Sequence, residues 1–173
     1  MSLFPLKKQL QKGQTLLEYT FIIPVFLMFI CIMVEASFAF IQSQRVMAVS
    51  RELAGSAFRD CTTAINPTTC ANDLADKMFD GANVLLPSFN TKGGFWLHIT
   101  FPTGEARPTI PISKGVSFTS TYNEMDFTVI KNAQGHGVMS EVTFSYQPVT
   151  PFGKILGVVI AHNSMKLYAT TVY

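Results

Sequence analysis

The chain has 173 residues, of which 48% are apolar and 14% charged, and its formal net charge is +2. This length has room for one domain. Three of the 13 basic residues lie in the first 13 positions, which leaves ten basic against eleven acidic residues, a balance of −1, in the rest of the chain. Such a balance excludes the concentrated basic surface of a nucleic-acid-binding protein, and we expect no nucleic-acid partner.

An apolar run without a charged residue extends from Tyr19 to Val34, directly after Glu18. A helix needs about 20 residues to cross a bilayer. We therefore predict a transmembrane segment at about residues 16–38, within a long helix over residues 14–60. A carboxylate in lipid is costly, so the sequence predicts that Glu18 is neutralised by a partner or lies at the interface.

The apolar run has a second interpretation, as a secretory signal that is cleaved after Ala36 or Ala39. Against it, apolar residues continue at spacings of three and four through Val49 and Leu53, which indicates that the helix does not stop there. An uncleaved anchor is the better fit. Basic residues beside a first membrane helix favour the cytoplasmic side, so the leader lysines predict an inside N-terminus and an exported remainder. Those lysines are Lys7, Lys8 and Lys12.

Two cysteines, Cys61 and Cys70, bracket a short polar segment. If this segment lies outside the cytoplasm, we expect a disulfide that closes it, because disulfides persist in oxidising compartments. The alternative is two free structural thiols. Cys31 lies in the apolar run and is expected to act as a small hydrophobic residue.

The exported part, residues 61–173, is predicted to be a small α+β domain. We expect one helix, Asn72–Leu86, followed by segments of period two that form an antiparallel sheet. The long N-terminal helix should pack against this sheet through Val46, Val49, Leu53 and Ala57. The predicted strands are Phe95–Phe101, Val116–Tyr122, Asp126–Ile130, Val138–Tyr146 and Met165–Tyr173. Residues 152–160 form either a helical turn or a buried strand.

No combination of residues points to catalysis. His98, His136 and His162 are far apart, and none stands at the spacing of a metal site. The chain also lacks the short motifs of hydrolases, phosphate-binding loops and zinc proteases. We therefore expect no enzyme activity, no metal and no cofactor.

Four residues of the N-terminal segment, Gly13, Glu18, Pro24 and Glu35, form a pattern that resembles the TadE-like pseudopilins of tight-adherence (Flp-type) pilus systems. In that family a glutamate precedes an apolar stretch with an early proline, and a second glutamate stands near its end. Three further stretches are similar to the family. They are the extended helix at 44–54, the strand and Pro-x-Thr-Pro turn at 142–153, and the last strand at 165–173.

The resemblance implies a leader, residues 1–13, that a prepilin peptidase removes by cutting between Gly13 and Gln14. It implies that Glu18 pairs with the new N-terminal amine of a neighbouring subunit, and that Pro24 and Glu35 also serve assembly. Glu18 could instead reach the headgroups or be protonated. Pro24 could be a simple kink, and Glu35 an interfacial residue.

The implied protein is a minor pilin or pseudopilin, either a structural subunit or an assembly initiator of an adhesion pilus. Its expected partners are the prepilin peptidase, other pilin and pseudopilin subunits, the inner-membrane assembly platform and membrane lipid. It would cross the bacterial inner membrane once, with the C-terminal domain periplasmic, or extracellular in the pilus. Two alternatives remain. One is a single-pass anchored binding module that does not polymerise, and the other is a secreted enzyme with a cleaved signal.

Overall fold

The computed structural model describes residues 4–101, 109–120, 135–151, 153–155 and 164–173. Within the first of these ranges, side chains are described from Glu18 onward. The expected strand Asp126–Ile130, the last two residues of the expected strand Val116–Tyr122, and residues 152 and 156–160 of the segment 152–160 lie outside the described residues.

Helix α1 extends from Phe4 to Ser56 and passes through Pro24 without a break. It leads into a wider helical turn, Ala57–Cys61. Every side chain from Tyr19 to Ile30 is exposed, as an uncharged helix surface would be if it faced lipid. By length and composition, the part Glu18–Cys61 is a candidate membrane span.

The described strands form one four-stranded antiparallel sheet in the order β2-β1-β3-β4. The fold is therefore α+β, with a long N-terminal helix, as the sequence predicts. The strands are β1 (Gly93–Thr100), β2 (Ile110–Gly115), β3 (Gly137–Tyr146) and β4 (Met165–Val172).

Two shorter helices precede the sheet, α2 (Pro67–Leu85) and α3 (Phe89–Lys92). Helix α2 begins five residues earlier than the sequence predicts. Its cap is Asn66, whose side chain accepts a hydrogen bond from the backbone N–H of Thr69 at 3.2 Å. Pro67 occupies the first helical position, where the missing N–H costs nothing. The expected start at Asn72 is wrong because the pair Asn66-Pro67 supplies both a cap and a favoured first residue.

The strand bounds expected from the sequence are confirmed for β1, β3 and β4 within two residues. The expected strand at Val116 is wrong, because residues 117–120 form an irregular segment that follows β2. Strand β2 itself was not expected, since its proline and lysine obscure the period-two pattern. Its Ile110 and Ile112 pair with Ile99 and Leu97 of β1.

Two compact units divide the chain. One comprises Met1–Phe38 and Pro148–Asn163, and the other Ala39–Gln147 and Ser164–Tyr173. In the second unit, the outer part of α1 packs on the sheet through the predicted seam. Its four members, Val46, Val49, Leu53 and Ala57, are all buried.

A buried hydroxyl cluster interrupts that apolar seam. Ser50 Oγ lies 2.8 Å from Ser140 Oγ of β3, and it donates to Thr171 Oγ1 of β4 at 3.0 Å. Ser140 Oγ also donates to the backbone oxygen of Ser50 at 2.6 Å. These bonds fix α1 to two neighbouring strands, because a buried hydroxyl must find a partner.

Candidate functional site

Glu18 stands at the start of the exposed apolar surface of α1, and its side chain is itself exposed. The next residues on the helix, Tyr19 to Val34, add no charge. Facing lipid, such a carboxylate would need a partner from another molecule or a position at the headgroups. The geometry therefore leaves Glu18 available for an intermolecular contact.

A shallow apolar hollow lies on the same part of α1, around the level of Pro24. Proline has no N–H, so the helix ladder is one donor short at this position. The hollow is dominated by aromatic and branched side chains from one face of the helix. They are Phe21, Ile22, Val25, Phe26 and Phe29.

Glu35, near the far end of the apolar surface, has an environment unlike that of Glu18. Its carboxylate accepts three hydrogen bonds from two consecutive residues of a distant turn. Oε1 accepts from the backbone N–H of Val149 at 3.0 Å. Oε2 accepts from the backbone N–H of Thr150 at 3.0 Å and from Thr150 Oγ1 at 2.7 Å.

The turn that binds Glu35 is built around Thr150, which stands between Pro148 and Pro151. Thr150 Oγ1 donates to Glu35 and accepts from the backbone N–H of Gly153 at 2.9 Å. The Thr150 carbonyl accepts from the N–H of Lys154 at 3.0 Å, which begins a short helical stretch. Residues 151 and 153–155 are helical, so the helical reading of this segment is confirmed for its described part.

Gly153 allows the close approach of the turn to α1. A Cβ added at Gly153 would lie 2.6 Å from Glu35 Oε2 and 2.9 Å from Pro148 Cβ. Carbon atoms do not come this close to either group, so a larger residue would push the turn and the carboxylate apart. The glycine is therefore part of the Glu35 binding site.

The sequence predicts Glu35 as an assembly residue and marks the Pro-x-Thr-Pro turn separately, but it does not predict their contact. The two are more than a hundred residues apart, and a single sequence gives no pairing information at that distance. A threonine held between two prolines was the available signal, since that arrangement fixes two N–H groups and a hydroxyl on one side of a turn.

A second polar cluster lies on the sheet, on the face away from α1. Glu141 of β3 is completely buried there. Its carboxylate accepts hydrogen bonds from Ser120 Oγ and from the Tyr168 hydroxyl. His98 of β1 lies beside it, with Nε2 3.2 Å from Ser120 Oγ and 3.9 Å from Glu141 Oε2. The alternation of β3 in the sequence predicts that Glu141 lies on this face. It does not predict that the Glu141 side chain is buried.

This cluster does not have the geometry of a nucleophile activated by a histidine. In a Ser-His-acid triad, the acid and the serine bind opposite nitrogens of the imidazole. Here Ser120 and Glu141 both approach Nε2 of His98. Burial lowers the pKa of His98, and the negative charge of Glu141 opposes that shift. The cluster instead satisfies a buried carboxylate.

The indole of Trp96 stacks on His98, with ring centroids 5.6 Å apart. Its Nε1 donates to the carbonyl of Phe118 at 3.1 Å. Trp96 and Ser120 thus hold the segment 117–120 over this face of the sheet.

The processing residues and the cysteines occupy separate positions. Gly13 and Gln14 are both within α1. Cys61 and Cys70 form a disulfide that joins the end of the α1 extension to α2, as the sequence predicts for an oxidising compartment. Cys31 is a free, half-buried thiol. Among the residues that the structure describes, no three His, Cys, Asp or Glu side chains group as a metal site would require.

One family model, that of the TadE-like proteins, matches residues 13–54. The matched range includes Gly13, Glu18, Pro24 and Glu35, which are the residues that carry the resemblance in the sequence. No curated protein and no solved structure matches the chain. The match covers about a quarter of the chain, and over residues 13–54 the chain is similar to the TadE-like proteins.

Proposed function

We propose that this chain is a minor pilin, or pseudopilin, of a tight-adherence (Flp-type) pilus. The observation that carries the proposal is the family match to residues 13–54, together with the exposed apolar helix on which those residues lie. The chain acts as a structural subunit or as an initiator of assembly. It performs no chemistry itself, and a cytoplasmic assembly ATPase supplies the energy.

Processing by a prepilin peptidase creates the assembly-competent form in this proposal. The peptidase cuts between Gly13 and Gln14, and the α-amine of Gln14 becomes the new N-terminus. Glu18 is then the fifth residue of the mature chain. Its exposed carboxylate pairs with the amine of a neighbouring subunit. This ion pair compensates for the hydration that both charges lose in an apolar assembly.

The helix holds the chain in the inner membrane until it is extracted, with the leader in the cytoplasm and the sheet in the periplasm. The three leader lysines support this orientation, and the disulfide between Cys61 and Cys70 supports an oxidising compartment for the sheet. The partners are the prepilin peptidase, other pilin and pseudopilin subunits, the inner-membrane platform and lipid.

Complementation of a strain that lacks this chain tests the role. A bulky residue at the cleavage site, Gly13→Phe, should block removal of the leader and prevent piliation, with the full-length chain retained in the membrane. Glu18→Val should be cleaved normally and still fail to assemble. Gly81→Ala is the matched control, because a Cβ there meets no heavy atom within 4 Å.

The main alternative, an anchored binding module that does not polymerise, gives a different pattern. An uncleaved chain would then be the functional form, so Gly13→Phe and Glu18→Val would both behave like the control. Normal piliation in both variants would contradict the pilin proposal.

A further inference from the structure

The position of Glu35 along α1 sets its depth in a membrane. Glu35 follows Glu18 by 17 residues, which at the rise of an α-helix is about 25 Å. The hydrocarbon core is about 30 Å thick, equivalent to about 20 residues. A core that begins at Tyr19 therefore ends near Phe38, and Glu35 lies just inside its outer boundary.

The surface of α1 beyond Glu35 agrees with that depth. Phe38, Phe40 and Ile41 are all exposed apolar side chains, and the first charged residue after Glu35 is Arg45. The apolar surface of α1 thus continues past Glu35 in the C-terminal direction. A carboxylate inside such a surface needs donors, and Val149 and Thr150 supply them.

A turn bonded directly to Glu35 must lie at the same depth as that residue. Its described side chains suit an interface between acyl chains and headgroups. Val149 and Ile155, on either side of Thr150, are 60% and 59% exposed. Lys154, next to Ile155, is also exposed. Exposed apolar residues beside a lysine are typical of segments that lie in the membrane interface.

We propose that the turn formed by residues 148–151 and 153–155 is a second membrane contact of this chain, docked on the outer leaflet of the bilayer that α1 crosses. Val149 and Ile155 enter the boundary of the acyl chains, and Lys154 reaches the phosphate groups of the lipid. The turn thereby covers Glu35 and keeps its carboxylate away from lipid. This inference rests on the membrane-anchored helix of the proposed function, and not on leader cleavage or polymerisation.

Fluorescence in vesicles tests the docking. The full chain, with Cys31→Ala and the disulfide kept oxidised, carries one reporter cysteine, Ile155→Cys, labelled with an environment-sensitive nitrobenzoxadiazole dye. The protein is reconstituted in vesicles of phosphatidylethanolamine and phosphatidylglycerol. The control label is placed at Val84→Cys, another exposed aliphatic residue, which belongs to the other compact unit.

The label at position 155 should emit at shorter wavelength than the label at position 84. It should also be quenched by lipids that carry a nitroxide near the headgroup and protected from aqueous iodide. Thr150→Val, which removes one donor to Glu35, should shift the emission at position 155 towards that of the control. Equal emission and equal iodide quenching at positions 155 and 84 would overturn the proposal.

Hydrogen exchange of the unlabelled chain tests the proposal even if a labelled variant does not fold. In vesicles, the amides of Val149 and Thr150 should be protected from hydrogen exchange. Exchange at the rate of a free peptide would overturn the proposal without any substitution. A failure of leader cleavage would leave both results unchanged, so the two proposals can fail separately.

Discussion

Glu35 and Thr150, which are 115 residues apart in sequence, are joined by two hydrogen bonds to the same carboxylate oxygen. One comes from the Thr150 amide and the other from its hydroxyl. This contact gives the second glutamate of the helix a partner within the chain, whereas Glu18 is exposed. Glu18 and Glu35 are therefore not equivalent, and the proposed intermolecular role belongs to Glu18.

The close packing at Gly153 predicts a sharp effect of one methyl group. Gly153→Ala places Cβ 2.6 Å from Glu35 Oε2, so the turn must move away and the bonds to Thr150 must lengthen. A hydrogen bond to a charged group contributes about 1.5–3 kcal/mol. We expect the Thr150 amide to exchange at least about tenfold faster, since about 1.4 kcal/mol corresponds to a factor of ten.

The matched control for that experiment is Gly81→Ala in α2, where the added Cβ meets nothing within 4 Å. It should leave exchange at Thr150 unchanged. An equal rate in Gly153→Ala and the wild type would show that the turn does not depend on the Glu35 contact.

The seam between α1 and the sheet predicts a large loss of stability for Leu53→Ala. Leu53 is completely buried among apolar residues, and removing such a side chain typically costs about 2–5 kcal/mol. Ile65→Ala is the control, because Ile65 is fully exposed and should change stability by less than about 0.5 kcal/mol. Urea unfolding of the full chain in detergent, followed by Trp96 fluorescence, measures both. Similar midpoints for the two variants would refute the packing of α1 on the sheet.

The disulfide closes a short segment, because Cys61 and Cys70 are nine positions apart in sequence. On the chain-entropy argument, its loss in the double variant Cys61→Ser/Cys70→Ser should destabilise the second unit by about 2–3 kcal/mol. Reductant should lower the urea midpoint of the wild type and leave that of the double variant unchanged. Cys31→Ala, which removes the free thiol, should respond to reductant like the wild type. A wild-type midpoint insensitive to reductant would contradict a structural disulfide.

The environment of His98 predicts a loss of stability in acid. Its pKa in the folded chain is lowered from 6.5 by burial, partly offset by the charge of Glu141. As the pH falls from the ordinary pKa of a histidine towards this lowered pKa, the unfolded chain binds the proton more readily than the folded one, so stability falls over that range. Urea midpoints at about pH 8 and about pH 5, the range in which histidines titrate, should therefore differ in the wild type.

His98→Gln should reduce that difference, because glutamine fills part of the space and does not titrate. The stacked Trp96 should also change its fluorescence as His98 is protonated, with a midpoint below that of an exposed histidine. An acid response that is identical in His98→Gln and the wild type would place the responsible group elsewhere.

The sequence predicts most of the elements whose signal is local. The long apolar helix and the alternation of β3 depend on one stretch of chain, and both are confirmed. Strand β2 was missed because Pro111 and Lys114 break its apolar pattern, yet pairing with β1 keeps it extended. The start of α2 was misplaced because the Asn66 cap is a single residue before a polar first turn.

The site contacts were harder to predict because they join distant residues. Glu35 with Thr150, Ser50 with Ser140, and His98 with Glu141 all depend on how elements meet in space. The residue types were visible in the sequence, but the burial of Glu141 follows only from the segment that covers that face of the sheet.

Prepilin processing is tested most directly by the intact mass and N-terminal sequence of the chain recovered from its native membrane. We expect the mature protein to begin at Gln14, without the first 13 residues, because the proposed prepilin peptidase cuts between Gly13 and Gln14. A chain that begins at Met1 would contradict prepilin processing and favour an anchored binding module. A chain that begins after Ala36 or Ala39 would contradict both the anchor and the pilin function.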